Sequence, residues 1–143
     1  LSAYENVELP MRIAGVGASE RSKRTNEVLE IVGLRRRARH RPYELSGGEQ
    51  QRISIARAVA MRPSVILADE PTGELDSVNA AKIFGLFQSM VLEKEMSIVA
   101  TTHDRTLLDM ADKIYTVHNG EIGLTEVGER IDAEAPFKRP GAE

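Results

Sequence analysis

Ser46, Gly47, Gly48 and Glu49 stand together in the run Leu45-Ser46-Gly47-Gly48-Glu49-Gln50-Gln51-Arg52. Two glycines directly after a serine, at the expected start of a helix, suit an anionic oxygen. The first backbone amides of a helix lack intrahelical acceptors, the helix end is positive, and glycine lets a ligand come close. The serine hydroxyl can cap the helix or bond a phosphate oxygen. An ordinary capped helix with a flexible entry explains the same string, because short Ser-Gly-Gly runs recur by chance.

A second group lies in Val65-Ile66-Leu67-Ala68-Asp69-Glu70-Pro71-Thr72. An apolar run ends abruptly on two acids. In open α/β sheets ligands gather at the carboxyl ends of strands. There Asp69 suits a hydrated Mg²⁺, and Glu70, pointing elsewhere, suits the orienting or deprotonation of an attacking water. A strand that ends in solvated acids is the plain alternative. The third group is Thr101-Thr102-His103-Asp104, after another apolar run. His103 there suits a γ-phosphate or the attacking water, although a lone histidine is more often structural or merely exposed.

The elements that must hold these groups follow from periodicity and stop signals. Residues 3–9 read as a short helix closed by Pro10, with Gly15 and Gly17 marking a loop. Ser19 reads as the cap of a helix over about 20–33. Ser46 precedes a helical pattern over about 47–61, with Ile53, Ala56, Val59 and Ala60 at helical spacing and Pro63 beyond it. Val65–Ala68 reads as a strand buried on both faces, as in a parallel sheet. A helix is predicted over about 77–93, with Ala81, Phe84, Phe87 and Val91 on one side. A buried strand is predicted at 97–101, a short helix at about 104–111, and a strand at 113–118 turning at Asn119-Gly120 into Glu121-Ile122. Strand, helix, strand, helix, strand is the rhythm of an α/β fold with a parallel sheet.

Composition sets outer bounds. The chain has 143 residues, 41% apolar and 29% charged, which fits one folded domain. There is no cysteine, so disulfides and thiolate metal sites are excluded. No apolar run approaches the length of a membrane span, and no secretory signal opens the chain. Charge is uneven: residues 1–63 carry a net +5 and residues 64–143 a net −8. Arg35, Arg36, Arg37, Arg39 and Arg41 concentrate the positive charge. Such a cluster suits nucleic acid or anionic lipid, or is simply a solvated surface. No aromatic residues interleave it for base stacking.

Taken in order, the three groups resemble the C-terminal portion of an ABC ATPase domain. Leu45-Ser46-Gly47-Gly48-Glu49 is similar to the signature motif of that family, with Glu in the fifth place. Leu67-Ala68-Asp69-Glu70-Pro71-Thr72 resembles the Walker B strand and its extension. Gly73-Glu74-Leu75-Asp76 resembles the D-loop, with Glu74 where close relatives usually have Asn. His103 resembles the switch histidine. The resemblance covers about residues 1–125. The opening Tyr4-Glu5-Asn6-Val7-Glu8-Leu9-Pro10 is similar to the subgroup serving lipoprotein release, macrolide export and cell division.

The resemblance implies an ATP-binding and ATP-hydrolysing subunit that couples hydrolysis to transport. It implies Mg²⁺ organised by Asp69, a general base at Glu70, and His103 on the γ-phosphate and water. Ser46, Gly47, Gly48 and Glu49 are implied to face ATP bound mainly by the opposite subunit, and Asp76 to couple the two sites. The implied partners are a second ABC ATPase subunit, head to tail, and transmembrane permease subunits, with no nucleic acid. The implied location is the cytoplasmic face of the cell membrane, peripheral and reached through the permeases.

The expected fold is therefore α/β, a partial P-loop NTPase of the ABC ATPase kind. A helical subdomain with the signature motif is expected over 1–63. A parallel-sheet core lacking its N-terminal strands is expected over 64–127, and a disordered tail over 128–143. No Gly-x-x-x-x-Gly-Lys-Ser/Thr occurs in the sequence, and no glutamine loop is found. The polypeptide alone is thus expected to be inactive and, with uncovered apolar faces, prone to self-association. Two other uses of the same fold stay open: a non-transport ATPase acting on DNA or ribosomes, and a non-catalytic module pairing with a complete subunit.

Overall fold

The computed structural model describes residues 1–94, 96–103 and 108–127, the side chains of 94 and 124–127 apart. The chain forms two compact units, one comprising Leu1–Thr101 and a second beginning at Thr102. The expected tail over 128–143 lies outside the described residues, and so does the first half, 104–107, of the short helix expected at 104–111.

The first unit opens with three helices: α1 (Ala3–Ile13), α2 (Ala18–Ile31) and α3 (Gly47–Val59). Ser2 caps α1 in a reciprocal box with Glu5. Contrary to the sequence reading, α1 does not close at Pro10 but runs another turn. Proline inside a helix removes a hydrogen bond and costs about 3 kcal/mol. Offsetting this, Met11 is buried one residue further on, and the amides of Ala14 and Val16 close the helix end on the carbonyls of Pro10 and Met11. The cap of α2 is Gly17, not Ser19. Val7, Met11, Val28, Leu29, Leu34, Ile53, Ala56 and Val59 are all buried, so the helical pattern in the sequence does mark this core.

Arg24 ties α2 to the end of α3. Its guanidinium donates to the carbonyls of Ala60 (3.1 Å) and Val59 (2.9 Å) at the end of the helix, the second of which also accepts from the amide of Arg62 at 3.0 Å. Two 3₁₀ turns, Arg35–Arg37 and Pro42–Glu44, bridge α2 to α3. The amides of Ala3 and Tyr4 donate to the carbonyls of His40 and Ala38, both at 2.8 Å, which pins this bridge to the start of α1.

Next come β1 (Val65–Asp69), α4 (Ser77–Lys94) and β2 (Ser97–Thr101). The two strands pair in parallel, from Val65 with Ser97 to Asp69 with Thr101. The buried stripe of α4 is Ala80, Ile83, Phe84, Phe87 and Met90. It is rotated slightly from the expected one, since Ala81 is exposed. The expectation of strands buried on both faces does not hold. Ile66 is buried, but Leu67 is 80% exposed and Val99 59% exposed. Alternate residues of a strand face opposite ways, and α4 covers one face of the pair, while no described element of this unit covers the other.

The second unit contains an antiparallel hairpin of β3 (Lys113–His118) and β4 (Glu121–Val127). Asn119 and Gly120 both have positive φ, 50° and 82°, the conformation that a two-residue hairpin turn demands.

Candidate functional site

Ser46 caps α3. Its hydroxyl oxygen accepts from the amide of Glu49 (3.3 Å), while the Glu49 carboxylate accepts from the amide of Ser46 (2.9 Å). A capping hydroxyl uses a lone pair, so its proton stays available to an anionic oxygen. The amides of Gly47 and Gly48 head the helix, where no intrahelical acceptor reaches them. Gly47 is exposed and Gly48 buried.

The Glu49 carboxyl is held below the usual carboxylate range, first by the Ser46 amide that donates to it and then by Arg37 and Arg52. Arg37 Nε stands 3.4 Å from Glu49 Oε1. The acid in the fifth place of the motif is thereby compensated within the chain. Arg35 pairs with Glu30 at 3.4 Å, so two arginines of the basic cluster have structural partners.

Asp69 and Glu70 leave the C-terminal end of β1, and both are exposed. Thr101, at the end of β2, clamps them. Its hydroxyl donates to Asp69 Oδ1, and the Glu70 amide donates to both the carbonyl (3.1 Å) and the hydroxyl (3.2 Å) of Thr101. Glu70 has φ 43°, the left-handed region. A non-glycine residue there is strained by about 1–3 kcal/mol, a condition that clusters at functional sites. The turn aims Glu70 away from the line of the strand and closes on Gly73, whose amide donates to the Glu70 carbonyl at 3.1 Å.

Asp76 caps α4. The amide of Asn79 donates to Asp76 Oδ1 (3.0 Å) and the Asn79 side-chain amide to Asp76 Oδ2 (2.7 Å). These bonds, backbone first, hold the Asp76 carboxyl below its ordinary range.

The start of α3 lies against the start of α4 beside Asp76, because a Cβ built on Gly47 would meet Leu75 and one on Gly48 would meet Asn79. Asp69 and Glu70 are brought to the end of β2 by Thr101. His103 is exposed and belongs to the second unit.

Sequence reasoning missed the roles of Thr101 and Asn79. The Asp-x-x-Asn spacing of residues 76 and 79 is a helix-start signal that points to the second. Nothing in the sequence points to the first before the register Asp69 with Thr101 is known. Among the described residues no group of three His, Asp or Glu side chains is placed to hold a metal. A Mg²⁺ that keeps its own waters and uses one carboxylate does not require such a group, and Asp69 Oδ2 takes no part in the Thr101 bond.

A parallel pair with acids at its carboxyl end, preceded by helices of which the last starts at a capped glycine pair, defines an α/β fold. The family described as "ABC transporter" matches residues 1–73, and the chain belongs to that family. It is 44% identical over 127 residues to the "ABC transporter ATP-binding protein YtrE" of Bacillus subtilis, covering 87% of this chain and 55% of that one. It is 46% identical over 121 residues to the "Lipoprotein-releasing system ATP-binding protein LolD" of Nitrobacter hamburgensis, covering 85% and 52%. Among solved structures, the "ATP-binding cassette MJ0796 bound to ADP and Pi" superposes with a TM-score of 0.78 at 40% identity, over 91% of this chain and 58% of that one. The chain spans about half the length of the curated relatives it matches. No helix among the described residues is long and apolar enough to cross a membrane.

Proposed function

We propose that these residues form the signature, Walker B and D-loop part of an ATP-hydrolysing ABC transporter subunit. The observation that carries this reading is the contact of two capped helix starts, α3 at Ser46 and α4 at Asp76, beside a parallel pair ending in Asp69 and Glu70. Residues 1–63 are read as the signature-bearing helical part and 64–127 as part of the ATPase core.

Asp69, steadied by Thr101, would hold a hydrated Mg²⁺, which would supply positive charge to the phosphates. Glu70 takes the proton of the attacking water as general base, and His103 is assigned the role of the switch histidine by its sequence resemblance alone. The hydroxyl of Ser46, the amides of Gly47 and Gly48, and the first turn up to Glu49 face the γ-phosphate of ATP held mainly by a second ATPase subunit. Asp76 links the two sites. Transmembrane permease subunits would place the assembly on the cytoplasmic face of the membrane. The relative named for a lipoprotein-releasing system supports a transport role.

The test is complementation. A complete homologous subunit is disabled at its own signature serine and mixed with this chain. Because the 143 residues contain no Gly-x-x-x-x-Gly-Lys-Ser/Thr, the chain alone should bind no ATP at micromolar concentration. The mixture should hydrolyse ATP, and Ser46→Arg in this chain should abolish the gain. No gain with the unaltered chain would overturn the reading.

A further inference from the structure

Gly48 lies hard against the side chain of Asn79. A Cβ built on Gly48 would stand 2.7 Å from both Cγ and Oδ1 of Asn79 and 3.0 Å from its Cβ. Only glycine fits there without displacement. Gly47, one residue earlier, would meet nothing nearer than Leu75 Cδ2 at 3.9 Å. The tight approach is thus specific to the second glycine, and it occurs where α3 and α4 meet.

Asn79 is not free to yield. Its backbone and side-chain amides take both oxygens of Asp76, at 3.0 and 2.7 Å. The amide of Ala80 adds a bond to the Asp76 carbonyl at 2.9 Å. One side chain therefore touches the glycine turn on one side and holds the carboxylate of the D-loop on the other. A hydrophobic residue of similar size would fill the space but leave Asp76 without its side-chain donor. Alanine would do neither.

We propose that Asn79 is a positioning residue that locks the glycine turn of α3 to Asp76, so that the phosphate-facing amides and the D-loop move as one body. This rests on the functional reading above. Movement of α3 toward a phosphate on the partner subunit would carry Asp76 with it, and displacement of Asp76 would withdraw the glycine amides. Close-packed contacts transmit such shifts because they cannot deform gradually.

Two measurements test it. The first is a thermal unfolding cycle on this chain with Gly48→Ala, Asn79→Ala and the double variant. Gly48→Ala should lower Tm by roughly 3–10 °C through overpacking, and in the Asn79→Ala background by measurably less, because only the 3.0 Å approach to the Cβ of residue 79 remains of the clash. Equal shifts in both backgrounds would overturn the contact.

The second measurement is the complemented ATPase at saturating chain. Asn79→Leu should reduce kcat about tenfold or more, as misplacement of a reacting geometry does, with KM for ATP unchanged. A merely structural defect would instead raise the chain concentration needed for half-maximal complementation. Asn79→Leu with wild-type kcat would overturn the positioning role while leaving the functional reading intact. Absence of activity with the wild-type chain would overturn the functional reading and the role together.

Discussion

At Ser46 one hydroxyl has two duties that substitution can separate. Removing the cap with Ser46→Ala should cost about 0.5–2 kcal/mol, read as a lower urea midpoint. Ser46→Asp keeps a capping acceptor but places a negative charge where a phosphate should approach. It should retain stability within about 0.5 kcal/mol and still fail in complementation. If Ser46→Asp complements normally, the residue is a cap and nothing more. Glu49 and Asp76, together with Glu5 in the cap of α1, contribute to the response to acid. Each has a folded-state pKa below its ordinary value. Their contribution is therefore present above the unfolded carboxylate value and is lost as pH falls through the folded one. Melting temperature should drop on acidification below about pH 4.5, and Glu49→Gln should make that drop shallower. An unchanged acid profile in Glu49→Gln would show that the Ser46 amide gains nothing from the charge.

Helices and strands were legible to different degrees, for physical reasons. The start of α3 could be read from Ser46, because a serine followed three residues later by an acid satisfies amides in a purely local way. The Asn119-Gly120 turn is equally local. The course of α1 was not legible at Pro10, where burial of Met11 outweighs a lost backbone bond. Nor was the cap of α2, where Ser19 offers a suitable side chain but the helix begins two residues earlier behind Gly17. Asp69 and Glu70 were found as chemistry, yet their clamp was hidden, since Thr101 meets them only across 32 residues of chain. Arg24 is another contact that sequence does not display. Its guanidinium satisfies two carbonyls at the end of α3, so Arg24→Met should destabilise by roughly 1–3 kcal/mol, measurable by urea unfolding. Arg24→Met with a wild-type midpoint would mean that water and the Arg62 amide serve those carbonyls as well.

In the first unit as a whole, the uncovered face of the β1–β2 pair is the feature expected to govern solution behaviour. Leu67 and Val99 offer apolar surface there, and burial of each such side chain is worth about 1.5–3 kcal/mol. Copies of the chain should associate through it. Leu67→Lys with Val99→Lys should shift size-exclusion elution to the monomer while leaving the helical CD spectrum unchanged. A wild-type chain that is already monomeric at high concentration would contradict this.

The β1–β2 register also sets a timetable. Strands whose partners are separated by 32 residues can pair only after α4 has folded back, whereas β3 and β4 meet across a two-residue turn. Closing the longer loop carries the larger entropy cost before any contact rewards it. During refolding, hairpin amides should therefore gain protection from hydrogen exchange before those of β2. The clamp on Asp69 and Glu70 would be among the last contacts made, so the candidate catalytic geometry would be completed late in folding.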